Sequence, residues 1–228
     1  MKKIIKVLLQ NKRNIYLNNS FSQEGEDIIL SRLFNDKKNG FYVDVGAHHP
    51  FRFSNTFKFY EKGWCGINIE PNPEDFHLFS KYRKRDININ AGVGSNDGTL
   101  TYYMFNEPAL NTFCSDEASK KDQLDNYSIV KKIQIPVFKL ENLLQKYLPQ
   151  DKDINFLSID IEGFEWEVFS SGFLDKYKPQ VIVVEILNSS LDTLQSNKLY
   201  KLLLDNNYSC FSKLYNSLIL TSDNFSEF

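Results

Sequence analysis

Short, largely apolar runs of five or six residues alternate along this chain with segments whose apolar positions recur every three or four residues. The runs at 41–45, 65–69, 87–91, 154–159 and 181–186 have the length and composition of strands buried on both faces. Between them, helices are expected at 23–34, 55–62, 74–82, 140–147, from about 165, and at 191–206. In the first of these Ile28, Ile29, Leu33 and Phe34 share one side; Gly63 ends the second, and Pro71 and Pro73 open the third. Such alternation predicts an α/β fold with a doubly wound, mostly parallel sheet covered on both faces. Two last strands, 208–213 and 217–221, are separated by a tight turn at Tyr215 and Asn216, so they should pair antiparallel.

Strands at 99–105 and 133–138 flank a polar stretch, 106–128, that reads as a lid-like insertion, because long irregular segments in compact domains usually serve a site. No repeat or linker interrupts the pattern. The whole of 1–228 therefore reads as one domain, with 1–40 as its N-terminal helical segment. Residues 1–13 read as an amphipathic helix packed on the domain, with contact to acidic lipid as the other reading. Lys6 breaks their apolar stretch, which argues against a secretory signal, and no run approaches a membrane span.

Composition narrows the class only slightly. At 42% hydrophobic and 25% charged residues, the 228-residue chain is ordinary for a globular protein. A net charge of −2 offers no field for nucleic acid. Three scattered cysteines make neither a disulfide framework nor a metal spacing, so a reducing, cytoplasmic setting is expected.

The chemistry concentrates at the ends of the strand-like runs. In doubly wound folds the ligand lies beyond the carboxyl ends of the strands; a glycine turn admits it and an acid ending the next strand grips ribose hydroxyls. Asp44, Gly46 and the small Ala47, followed by Glu70, fit that grip. A dinucleotide would need further glycines for its pyrophosphate, where this chain has His48, His49 and Pro50. S-adenosylmethionine, which has no phosphate, suits the turn better; a nicotinamide oxidoreductase is the reading this disfavours.

Five stretches in order carry a resemblance: FSQEGEDIIL (21–30), YVDVGAHHPFRFSNT (42–56), GWCGINIEPNPE (63–74), INAGVGSNDG (89–98) and LSIDIEGFEWEVF (157–169). Together they resemble the FkbM family of S-adenosylmethionine-dependent methyltransferases. The resemblance implies a class I methyltransferase (Rossmann-like) sheet ending in an antiparallel hairpin. It also implies methylation of a hydroxyl on a small polar acceptor, of the sugar or nucleotide-linked sugar type used in surface-glycan synthesis. On the same resemblance, Gln23 and Glu26 belong to a segment covering the cofactor, and Asn90, Ala91 and Gly92 lie where similar enzymes contact adenine.

The remaining candidates come from the residues themselves. Ser54, Asn55 and Thr56 open a helix and suit the cofactor carboxylate, or simple capping. Asp160, with Glu162 and Glu165 just after it and Glu185 on the next strand, forms the densest acid group. Asp160 is the first candidate for the base that accepts a hydroxyl proton, Glu185 the second and His48 the third. Such acids also suit a hard divalent cation that orients a diol, which the sequence leaves open as a second cofactor. Tyr102, Tyr103 and Phe113 border the insertion and suit stacking on a sugar ring. N-methylation, a cofactor-binding scaffold without turnover, and homo-oligomerisation also stay open at this level.

Overall fold

The computed structural model describes residues 18–35 and 37–225; the helix expected at 1–13 lies outside them. Seven strands form one sheet: β1 (Phe41–Val45), β2 (Cys65–Ile69), β3 (Ile87–Ile89), β7 (Phe156–Ile159), β8 (Val181–Glu185), β9 (Tyr208–Lys213) and β10 (Ser217–Ser222). Their spatial order is β3-β2-β1-β7-β8-β10-β9, with β1 to β3, β7 and β8 parallel and the β9–β10 hairpin antiparallel. This is the class I methyltransferase arrangement expected from the sequence. The order reverses between β1 and β7, which opens a crevice at their carboxyl ends.

Period-two alternation sorts the strand side chains into two cores. Phe41, Val43, Val45, Leu157, Ile159, Ile182, Val184, Leu218 and Leu220 face one layer. There they meet α5 (Leu140–Tyr147), α6 (Glu165–Phe169) and α8 (Lys198–Asp205) through Leu144, Phe169 and Leu203. Tyr42, Phe156, Val181, Val183 and Ile219 face the other layer, against Leu30 and Leu33 of α1 (Glu26–Leu33) and Phe59 of α2 (Phe57–Glu61). Near the crevice this second face turns polar: Asp44, Asn68 and Ser158 are all buried on it. An apolar sheet face carrying three buried polar groups needs partners for each.

Beyond shifts of a few residues at element ends, such as β6 starting at Ile129 rather than 133, the structure departs from the sequence expectation in three places. The helix expected at 191–206 is two, α7 (Leu191–Leu194) and α8, because Asn197 accepts hydrogen bonds from the Leu199 and Tyr200 amides and starts a new helix. The run 87–91 ends early: after Ile89 the chain turns, and β4 (Gly92–Val93) joins β5 (Gly98–Phe105) and β6 (Ile129–Phe138) in a separate three-stranded sheet, order β4-β6-β5. The insertion at 106–128 is not irregular throughout. It holds a 3₁₀ turn at Pro108–Leu110 and the helix α4 (Ser115–Lys121), and an antiparallel bridge from Thr112 to Tyr103 ties it to β5. Between β2 and β3, α3 (Pro73–Tyr82) is capped by Asn72, as its prolines suggested. No helix among the described residues is long and apolar enough to cross a membrane.

Candidate active site

Strand ends build the site. The Gly46 and Ala47 amides donate to Ile69 O, Glu70 N to Ile89 O and Asp160 N to Val45 O, so the ladder continues one residue beyond each strand. This fixes three backbone segments, after β1, β2 and β7, around a cleft that is partly open to solvent. Eleven residues singled out in the sequence as site candidates line it: Gln23, Asp44, Gly46, Ala47, His48, Asn55, Glu70, Tyr102, Phe113, Asp160 and Glu162. Gly46 sits at φ +74°, and a Cβ placed on it would lie 1.9 Å from the Asp160 carbonyl oxygen. Only glycine permits that approach of the two walls.

Asp44 and Glu70 are both buried, with different partners. Asp44 Oδ2 accepts from the Thr56 hydroxyl at 2.8 Å. Burial pushes its carboxyl up to about 6, although the Thr56 hydrogen bond and the Arg83 charge pull the other way. Glu70 Oε2 accepts from the His48 amide and Oε1 from the Asn72 amide, each at 2.7 Å. Its carboxyl is nonetheless held well above the usual range by burial. Two of about four lone-pair sites on Glu70 are used, which leaves two for a ligand diol.

The other candidates divide into wall and support. Ser54 caps α2 by accepting from the Phe57 amide at 3.1 Å, and Thr56 serves Asp44, so both act behind the wall. Asn55 faces the cleft; it donates to Ser158 Oγ at 3.0 Å and its Oδ1 is buried without a partner. Asn90 clamps the β2 turn by donating to the Glu70 and Pro71 carbonyls at 2.8 and 3.0 Å. Ala91 and Gly92 are buried below the cleft; Gly92 lies against Phe113 and Val137. Glu26 is buried on the C-terminal hairpin, accepting from the Ser217 hydroxyl at 2.7 Å, while Gln23 beside it is exposed at the cleft mouth.

His48 has φ +56° and a half-buried ring. Burial first, then Arg52, push its imidazole down to about 4, so it is neutral at pH 7 and a weaker base than an ordinary histidine. His49 accepts from the Phe51 and Arg52 amides through Nδ1 and shapes its loop.

The acid group lies at the β7 and β8 ends. Asp160, Glu162 and Glu185 each bring a carboxylate oxygen within 4.8 Å of the others. Burial, then the neighbouring Glu162 and Glu165 charges, hold the Asp160 carboxyl well above its ordinary range. Glu185 is raised by burial and by Asp160 itself. Glu165 instead folds back on the Ile161 and Gly163 amides, which assigns it to the turn. Burial takes its carboxyl up to about 7.

Three further features complete the site, and only the last of them, its two ion pairs, had no signal in the sequence. The insertion forms a wall, through Pro108, Ala109, Asn111, Thr112 and Phe113, and is pinned by Thr112 donating to the Glu162 carbonyl at 3.0 Å. Tyr102 and Phe113 line it with ring centroids 4.7 Å apart; Tyr103, expected beside them, does not line it. Lys121 of α4 pairs with Glu162 at 2.6 Å, and Arg52 reaches Glu107 at 2.9 Å across the mouth.

A family model described as "Methyltransferase FkbM domain" matches residues 44–210. Among solved structures, the chain is similar to precorrin-6y C5,15-methyltransferase from Geobacter metallireducens GS-15. The TM-score is 0.40 and the identity 15%, over 86% of this chain and 84% of that one. A search of curated proteins returns no match.

Proposed function

The chain belongs to the FkbM methyltransferase family, and from that premise we propose that it methylates a hydroxyl of a small polar acceptor, of sugar or nucleotide-linked sugar type, in surface-glycan synthesis. S-adenosylmethionine is the cofactor that this family implies. The observation that carries the reading is the convergence of Gly46, Glu70 and Asp160 on one cleft at the switch point of the sheet. The residues fit the cofactor: Gly46, where any Cβ would strike the Asp160 carbonyl, gives the cleft a turn of bare backbone, and Glu70 keeps acceptor sites for ribose hydroxyls. Asp44 and Asn55 would hold the amino-acid end, with Ser54 and Thr56 supporting them. Asn90 positions the Glu70 turn, and the Ala91–Gly92 backbone supports the wall facing adenine.

When bound, S-adenosylmethionine supplies an electrophilic methyl group. The chain's own work is to orient the acceptor and accept its proton. Asp160 is suited to this, because its raised pKa makes it a stronger base than an ordinary aspartate. Glu185 backs it, while the neutral His48 contributes a hydrogen-bond acceptor. An amine acceptor fits less well. Acids gathered at this point would stabilise it as an ammonium, which has no lone pair to attack with. Tyr102 and Phe113 offer an aromatic wall to the acceptor ring.

Thermal unfolding with S-adenosylmethionine or its demethylated product, beside NAD, tests the cofactor. Near 100 times its dissociation constant the ligand adds roughly 2.7 kcal/mol, which is on the order of 5–10 °C for this size. Glu70→Gln should lose most of that shift while still folding. A shift with NAD alone, or with no cofactor, would replace this reading with an oxidoreductase or with a scaffold without turnover.

Asp44 gives an independent check. Its folded pKa lies above its unfolded value of 3.8, so the folded state binds the proton more tightly and stability falls as pH rises from about 4 to 6. Binding of a cofactor ammonium has the opposite sign, since it needs the charged carboxylate and strengthens over the same window. Calorimetry at pH 5 and 7 should show S-adenosylmethionine binding about tenfold tighter at pH 7. Asp44→Asn should flatten both trends; an unchanged pH profile in that variant would remove Asp44 from the ammonium site.

A further inference from the structure

We propose that Asp160, Glu162 and Glu185 form a binding site for one hard divalent cation at the acceptor side of the cleft, with Lys121 as the built-in cation it competes against.

The first observation is positional. β7 and β8 pair in parallel with Ile159 beside Val184, so the next residues, Asp160 and Glu185, leave adjacent strands side by side. Glu162 returns over them from the following turn, and one oxygen of each carboxylate lies within 4.8 Å of the others. Two oxygens on opposite sides of one ion are separated by twice the metal–oxygen bond, about 4.1 Å for magnesium and roughly 4.6–5.2 Å for calcium. The spacing therefore suits a hard cation with little movement. An all-oxygen donor set selects the same class of ion.

The second observation is independent of acid count. Asp160 Oδ1 and Glu185 Oε2 are sealed from solvent and accept no hydrogen bond from any described residue. Elsewhere in this site the buried carboxylates are served: Asp44 by Thr56, Glu70 by two amides, Glu165 by two more. A buried acceptor left without a donor is costly. Two of them in one three-acid cluster mark a place where a positive group belongs.

Lys121 already answers part of that demand. It reaches Glu162 at 2.6 Å from α4, with only 12% of its side chain exposed, and leaves Asp160 Oδ1 and Glu185 Oε2 without a hydrogen bond. The helix carrying it belongs to the insertion that walls the cleft. Cation entry would release Lys121 from Glu162 and so loosen α4 from the acid turn, linking the ion to the wall around the acceptor. The use of the ion for orienting an acceptor diol rests on the hydroxyl-methylation reading; its binding does not.

Manganese(II) is the probe, followed by electron paramagnetic resonance on the full chain with no methyl donor or acceptor present. One ion per chain should bind, displaced by magnesium or calcium. Glu185→Gln and Asp160→Asn should each weaken binding at least tenfold. Neither should prevent folding, because an amide keeps the shape of the carboxyl it replaces and relieves its crowding with the neighbouring acids. Lys121→Met should tighten manganese binding several-fold, because it removes the cation that occupies Glu162. Failure of the folded wild-type chain to bind at millimolar manganese, or binding unchanged in both acid variants, overturns the site. Either failure would leave the thermal response to S-adenosylmethionine intact, so the two readings fall separately.

Discussion

Gly46→Ala should be the most damaging single change in the cleft. Its β-carbon would meet the Asp160 carbonyl at 1.9 Å and Ile161 Cγ2 at 2.8 Å, and the first of these is backbone that cannot swing aside. The residue would also keep φ near +74°, which by itself costs about 1–3 kcal/mol for a non-glycine. The expected total is at least about 3 kcal/mol, with the β1 and β7 turns forced apart. Gly63→Ala is the matched control: φ is +97° there, but nothing lies within 4 Å of the added atom. Denaturant unfolding should show a clearly larger loss for Gly46→Ala, and only that variant should lose its thermal response to S-adenosylmethionine. Equal losses with the response retained would mean that the close approach at Gly46 serves neither packing nor the cofactor.

Arg83→Met should be nearly as costly, although Arg83 touches no ligand. The guanidinium is fully buried and donates to Asp86 at 2.9 Å, Tyr42 Oη at 2.8 Å, Thr56 Oγ1 at 2.9 Å and the Pro50 carbonyl at 3.0 Å. Its removal leaves the Asp86 carboxylate buried with only neutral donors: Tyr42, Asn68 and the Gly66 amide. Stranding one charge of a buried pair costs about 3–5 kcal/mol, on the order of 6–20 °C here. The double variant Arg83→Met with Asp86→Asn should recover part of this, since no charge is then left alone. If it is no more stable than the single variant, packing rather than charge explains the loss. The network also reaches the site, because Thr56 takes a bond from Arg83 and gives one to Asp44. Arg83→Met should therefore weaken cofactor binding beyond its effect on stability.

Strand positions were legible because a strand buried on both faces writes itself as a local apolar run. Phe41–Val45 and Cys65–Ile69 begin and end where the sequence places them. Helix extents were less so. The helix expected at 191–206 contains Asn197, and whether an asparagine continues a helix or caps a new one depends on bonds that periodicity does not register. The small sheet of β4, β5 and β6 was also missed as a unit: strands at 99–105 and 133–138 were readable, but β4 was not, because Gly92 pairs with Val137 forty-five positions away. At the site, acids that end strands were found; Arg83 and Lys121 were not. Arg83 stands in the run Lys81 to Asp86, where nothing local distinguishes the one cation that is buried from those that face water.

The sequence by itself determined the doubly wound class, the crevice at the strand ends, the family, and the acids Asp44, Glu70, Asp160 and Glu185 that mark it. All of these follow from local information: apolar period, turn residues and the residue that ends each strand. Only the tertiary structure decided which polar groups are served and which are left waiting. Ser54, Thr56 and Asn90 became supports, His48 a neutral ring, Glu165 a turn lock, and Asp160 with Glu185 a pair of sealed acceptors without donors. The reason is that burying a polar group is costly until a partner arrives, and such partners come from segments tens of residues away. Their approach is fixed by packing, which no local pattern encodes.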